Sequence, residues 1–296
     1  MNIQKLLLIA VILTGFTRAN AQEVQAPKIK KINIQNVYIQ TGGMFFHHNS
    51  YGSLADFKTL APQSIMLKND FSEYSYYFDP TTPVGMFSVM LGIKFSDKQK
   101  SSYKANPQLR LGFTYYSGLG FTGNSEKSTY YPFDTLTSAQ TGQTIITDSV
   151  KTSCYYMDYT SDQLRFDGSL IYSTNQKSRV SLYAGIGVTA GFAINANTNI
   201  YYTERIYVED YGFNYPYSNE LNSHQTESFI NKKGFGFSAY IPLGIDFRLG
   251  KKREFWKRLH LNYEIRPGIN MVNIPELRTI ADANISHEIG LRVSID

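Results

Sequence analysis

From Arg258 to Met271 apolar and polar residues take turns along the chain. Leu259, Leu261, Tyr263, Ile265, Ile269 and Met271 share one parity, and His260, Asn262, Glu264, Arg266 and Asn270 share the other. Successive side chains of a strand point to opposite faces, so this segment is a strand with one apolar and one charged face. The same alternation predicts seven more strands: Ile34–Phe45, Gly85–Phe95, Gln108–Gly120, Gln163–Thr174, Arg179–Asn195, Phe235–Leu249 and Asn284–Ile295. Each is at least as long as the roughly 9–11 residues a tilted strand needs to cross a bilayer. The connections alternate in length. Those after strands one, three, five and seven (46–84, 121–162, 198–234 and 272–283) are long, and those after two, four and six (96–107, 175–178 and 250–257) are shorter. This asymmetry predicts an all-β fold, an antiparallel up-and-down transmembrane β-barrel of eight strands. Short turns and both termini lie in the periplasm, with long loops outside. An even count closes the sheet without an edge. Thr144–Val150 alternates again inside the second long connection, and counting that hairpin as wall gives ten strands instead. Ser53–Leu60 reads as a short helix, with Ser53 as cap, Asp56 in the first turn and Pro62 beyond the end.

Two kinds of barrel share such alternation: soluble barrels with apolar interiors, and membrane barrels with apolar exteriors. The polar parity here is rich in Gly, Ser, Tyr and Arg and poor in Lys and Glu. That suits a crowded interior better than a solvated surface, so the membrane form is expected. The lumen then holds Lys94, Arg110, Arg165, Arg248, Arg266 and Arg292 facing Asp167, Asp246, Glu264 and Glu288. Unpaired buried charge is costly, so these groups are expected to form an ion-pair network. An eight-stranded interior is only wide enough to be filled by side chains, which favours a plug over a pore.

The N-terminus changes the picture by adding an address. Lys5, the apolar run Leu6–Phe16 and Ala19-Asn20-Ala21 form a signal peptide over residues 1–21. Residues 22–33 are then a periplasmic segment and 34–296 the barrel domain. The run is too short for a transmembrane helix, which takes roughly 20 residues. Cleavage takes away Lys5 and Arg18 and no acid, so the formal charge of +5 falls to +3. The basic residues are scattered, which excludes a nucleic-acid stripe. The single Cys154 excludes an internal disulfide or a cysteine zinc site. Tyrosine is abundant, at 23 residues. Many tyrosines fall in the long connections, among them Tyr201, Tyr202, Tyr215 and Tyr217. They suit a membrane-interface girdle or a recognition surface.

No catalytic motif stands out, and no metal or cofactor is expected. The nearest approaches are Ser223-His224 with Glu220, and Ser286-His287 on the last strand, either of which could serve a rim-site lipid or peptide hydrolase. His47 and His48 are adjacent and would point to opposite faces. Glu204, Glu209 and Asp210 read as a solvated acidic loop.

At Ser181–Gly191 (SLYAGIGVTAG), Asp246–Leu249 and the closing Glu288-Ile-Gly-Leu-Arg292, the chain resembles small outer-membrane β-barrel proteins of the Bacteroidetes. The resemblance covers essentially the whole mature chain and implies a barrel class without implying catalytic residues. Unlike many barrels of proteobacteria, the chain ends Ser294-Ile295-Asp296, with no terminal aromatic. The expected role is a structural or recognition barrel with a plugged lumen, and the rivals are a rim hydrolase and a narrow channel. Expected partners are outer-membrane lipid, the barrel-insertion machinery and an extracellular or periplasmic partner.

Overall fold

The computed structural model describes residues 33–47, 52–79, 81–94, 106–137, 140–142, 144–174, 178–209 and 223–295. The expected signal peptide, residues 22–32, His48, Asp210, Tyr215, Tyr217 and Glu220 lie outside them. The strands are β1 (Asn33–His47), β2 (Ser75–Asp79), β3 (Thr81–Lys94), β4 (Asn106–Thr137), β5 (Thr144–Ser173), β6 (Val180–Glu209), β7 (Ser223–Ile230), β8 (Phe235–Tyr240), β9 (Leu243–Arg248), β10 (Leu259–Asn273) and β11 (Thr279–Ser294). Two short helices, α1 (Leu54–Leu60) and α2 (Glu254–Arg258), lie between them.

The wall is closed. β1 pairs with β11 and β3, and the ring continues through β4, β5 and β6 to β8 and β9, then β10 and back to β11, antiparallel throughout. β8 and β9 are one wall strand in two pieces, since both pair with β6 on one side and β10 on the other. The break falls at Ile241-Pro242, where proline has no N–H for the ladder. The ring therefore has eight wall strands. The ten-strand alternative is replaced by longer strands, because β4 and β5 pair from Asn106↔Ser173 up to Thr137↔Thr144 as one hairpin.

The residue pattern inverts part way up. In the lower wall Phe113, Leu164, Phe166, Leu182, Ile186 and Phe192 face outward and are exposed, while Arg110, Arg165, Asp167, Glu264 and Arg266 are buried inside. On β6 the apolar belt runs from Val180 to Ile194. At ~3.3 Å per residue and a tilt of about 45° that is roughly 30 Å of height, a hydrocarbon thickness. A closed wall that is apolar outside and charged inside spans a bilayer.

Above this belt the ladder shifts between Tyr116 and Leu119, where Gly118 adopts φ +79°, and between Asp162 and Gln163. Gly118 can take this left-handed conformation because it has no Cβ, and its N–H donates to Asp162 Oδ1 at 3.0 Å. Beyond these bulges Leu119, Phe121, Met157, Tyr159 and Ile200 turn inward and are buried. Polar residues such as Thr160 and Asn199 lie on the other parity. The upper part thus has the polarity of a water-soluble sheet. β2 joins it beside β4 and β7 beside β6, which makes a five-stranded sheet, β2–β4–β5–β6–β7, outside the membrane.

The fourth expected long loop is instead a tight turn. β10 and β11 pair as far as Asn273↔Thr279, leaving residues 274–278 between them. The membrane rule missed this extension because its inward residues, Val272, Ile274 and Ile280, are apolar.

The first long connection forms a lid. Ser53 caps α1 in a capping box with Asp56. Phe57, Leu60, Ala61, Met66 and Leu67 are buried against the mouth, in one cluster with Phe121, Met157, Ile200, Val272 and Ile280.

Candidate functional site: the lumen, its lid and the extracellular sheet

Glu264 is the centre of the middle lumen tier. It accepts from Arg110 Nη1 at 2.6 Å and Nη2 at 3.2 Å, from Tyr183 at 2.6 Å and from Arg266 Nε at 2.5 Å. Arg266 also reaches Glu288 at 2.7 Å, Asp167 at 3.3 Å and Gln40 at 3.2 Å. Asp167 in turn accepts from Tyr240 at 2.5 Å and Thr114 at 2.8 Å. Buried charged pairs at these distances depend on one another as a set.

Below it, Arg292 donates to Asp246 at 2.5 Å and to His260 Nδ1 at 2.7 Å. Above it, Arg165 bonds only neutral groups: Gln163 at 2.8 Å, Ser238 at 2.7 Å and Asn270 at 2.6 Å. Its guanidinium lies 4.6 Å from the Tyr116 ring centroid. Eight of the ten expected lumen charges thus occupy these tiers. Lys94 and Arg248 stand apart: both are only half-buried at the turn end of the wall and make no ion pair among the described residues.

Sequence reasoning counted tyrosine among the polar-parity residues but gave it no part in the lumen network. Tyr38, Tyr116, Tyr183 and Tyr240 sit on the polar parity and are buried beside the arginines. Two of the four, Tyr183 and Tyr240, have glycine partners on the wall. Tyr240 pairs with Gly187 and Tyr183 with Gly244, and a Cβ on either glycine would lie 2.3 or 2.1 Å from the ring. Each ring lies over a bare backbone. Gly244→Val is expected to lower stability by about 1–3 kcal/mol through overpacking, read as an earlier urea midpoint for the detergent-folded barrel. An unchanged midpoint would mean that Tyr183 moves aside freely.

The lid is fastened across the mouth. Glu227 on β7 accepts from Ser64 Oγ and, at 3.1 Å, from the Ile65 N–H. Asn231 donates to the Leu60 carbonyl at 2.8 Å, and Asn69 to Tyr155 at 2.7 Å. Cavities of about 20 Å³ between Phe121, Tyr159, Asn270 and Val272 in the upper wall and about 10 Å³ in the lower tier each have room for about one water.

The two expected recognition tyrosines among the described residues, Tyr202 and Tyr201, lie on opposite faces. Tyr202 points inward, meets Tyr155 in a tilted ring contact at 4.7 Å and donates to Glu204 at 2.7 Å. Burial pushes its hydroxyl up to about 12. Hydrogen bonds from Tyr202 and Lys151 hold Glu204 below the usual carboxylate range, so this acid is tied into the sheet. Tyr201 points outward, between Tyr156 at 5.9 Å and His224 at 6.4 Å. Cys154 lies in β5, not in a loop, and donates to Asn124 at 2.9 Å.

The hydrolase candidates are not brought together. Ser286 is buried in the lumen, whereas His287 faces outward and bonds Tyr263 at 2.8 Å. Adjacent strand residues must diverge in this way. His224 meets Thr226 at 3.2 Å, and its neighbour Ser223 lies on the opposite parity of β7.

No family model and no curated protein matches the sequence. Among solved structures there is a likeness to Ail, the attachment invasion locus protein of Yersinia pestis. It has a TM-score of 0.25 and 9% identity over 88% of this chain and 99% of that one. The same protein in complex with the heparin analogue sucrose octasulfate matches with a TM-score of 0.23 and 10% identity over 88% and 99%. OmpT, an outer membrane protein of Vibrio cholerae, matches with a TM-score of 0.14 and 9% identity over 92% and 100%. Likenesses this slight equate no residue of this chain with one of theirs. By its own closed ring and its polarity the chain is an integral outer-membrane β-barrel.

Proposed function

We propose that this barrel is a non-conducting, non-enzymatic scaffold that holds the β2–β4–β5–β6–β7 sheet above the membrane as a recognition surface. The observation that supports this reading is the stack of buried charged groups inside the wall. Two ion-pair tiers and the Arg165 layer occupy the span, and an apolar lid fastened at Glu227 and Asn231 lies at the mouth. Two small water-sized cavities along this interior support a lumen that offers ions no wide hydrated path. We further assign the chain to the Bacteroidetes barrels it resembles at Ser181–Gly191 and Glu288–Arg292, exported by the signal at residues 1–21. In planar-bilayer recordings the purified protein is expected to give no current above the lipid background. Reproducible unitary steps would overturn the plug and favour the narrow channel.

A further inference from the structure

The outward face of the extracellular sheet is ordered in rows. Strand register aligns Tyr77, Asn124, Tyr156, Tyr201 and Thr226 straight across all five strands. The row beneath holds Thr122, Asp158, Asn199 and Ser228, joined by bonds of 3.0 Å from Asn199 to Asp158 and 2.7 Å from Ser228 to Asn199. The row above holds Glu126, Cys154, Thr203 and His224. A strip carrying three tyrosines thus runs between a lower row of hydroxyl, carboxyl and amide groups and an upper row of carboxyl, thiol, hydroxyl and imidazole groups. Tyr77 and Tyr156 are 59% and 44% exposed, so part of each ring faces solvent.

Height decides against a membrane-interface girdle. Tyr156 is eight residues above Leu164, the last outward apolar residue of β5 below the bulge. That is roughly 26 Å along the strand and about 18 Å of height at a 45° tilt. Even from the level of Ile230, the uppermost exposed isoleucine on this face, the strip is roughly 9 Å higher. Interfacial regions are only about 5–8 Å deep on each side. The strip stands above them, on the same outward wall that contacts lipid below.

We propose that this strip binds the carbohydrate headgroup of an outer-leaflet glycolipid. The face is continuous with the lipid-facing wall, so a lipid whose chains lie against Leu164 and Phe192 brings its headgroup to these rows. The three rows contain no lysine or arginine, so the headgroup's neutral sugars, not its phosphates, are what they fit. Sugar rings present C–H faces to aromatic rings and hydroxyls to amides and carboxylates, and this arrangement alternates those two kinds of group. Rigid tyrosines with adaptable Asn, Ser and Thr beside them form a low-entropy polar contact surface.

The proposal rests on the sheet being a recognition surface. Its test uses the full-length barrel in nanodiscs, titrated calorimetrically with the delipidated saccharide of the host's outer-leaflet glycolipid. The parent should bind, and Tyr156→Ala/Tyr201→Ala should bind about tenfold more weakly or worse while its unboiled gel band still migrates fast. Tyr156→Phe/Tyr201→Phe, which keeps the rings, should retain most of the affinity and covers the case in which the alanine pair fails to fold. Absence of binding by the parent, or equal binding by parent and alanine variant, would overturn the proposal. Bilayer conductance is read separately: a silent barrel that ignores the saccharide refutes the occupant alone, whereas a conducting barrel refutes the scaffold reading beneath it.

Discussion

Arg266→Leu unfolds at a markedly lower urea concentration than the parent barrel, while Leu261→Ile unfolds at the same one. The two residues belong to the same strand, β10, on opposite faces of the wall. Arg266 is 2% exposed and touches Glu264, Asp167 and Glu288. Leucine fills part of its volume and leaves three carboxylates close together, with Arg110 as the remaining cation on Glu264. Breaking a buried ion network by removing one partner costs about 3–5 kcal/mol. That is a large share of a typical margin of about 5–15 kcal/mol. Leu261 faces lipid at 41% exposure, so a swap for an isomer of equal volume changes little. The measurement is a pair of urea titrations of detergent-folded protein, followed by tyrosine fluorescence and by band shift without boiling. Equal midpoint shifts for the two variants would reverse the assignment of faces.

The lower wall was legible because lipid imposes one rule on every residue it touches. Phe166 must be apolar and Arg165 must not be, so parity alone assigns both. The same parity puts eight of the ten expected lumen charges inside the wall, while Lys94 and Arg248 at the turn end are only half-buried. Which charge meets which did not follow, because Arg110 on β4 and Glu264 on β10 are joined across the interior, not along the wall. The Tyr183–Gly244 and Tyr240–Gly187 pairs were visible as aromatic and glycine residues on the polar parity. Only the register shows that each ring covers the glycine opposite it.

Above the membrane the rule reverses, and a pattern read under the lipid rule stops too soon. Leu119 and Phe121 continue β4 with their parity shifted by the bulge at Gly118, and they face inward because water now lies outside. The same reversal turned the 272–283 connection into a hairpin and lengthened the third, fourth and fifth predicted strands. Local helix chemistry at Ser53 and Asp56 was readable, whereas the destination of that helix was not. Its place over the mouth depends on Glu227 and Asn231, more than 160 residues away in sequence.

Phe57→Asp opens the lid and leaves the barrel closed. Phe57 is fully buried between the lid and the upper wall, with Phe121 at 5.5 Å in an edge-to-face contact. A carboxylate at this site loses the ring's packing, worth about 3–5 kcal/mol for a buried Phe, and adds the cost of a buried charge. The polar fastenings at Ser64, Ile65 and Leu60 cannot offset that, since each hydrogen bond contributes only about 0.5–1.5 kcal/mol net. The ion-pair tiers lie in the membrane span and share no contact with Phe57. Lid opening should therefore be local, as expected for an element that packs on the wall without joining its strand ladder. Limited proteolysis should cut within residues 53–74 at least about a hundredfold faster than in the parent, while the unboiled band still migrates fast. Loss of the fast band would show that lid and barrel fold as one unit. An unchanged cleavage rate would place the strength of the closure in Glu227 and Asn231 instead of in the apolar contact, and Glu227→Ala would then be the variant that opens the mouth.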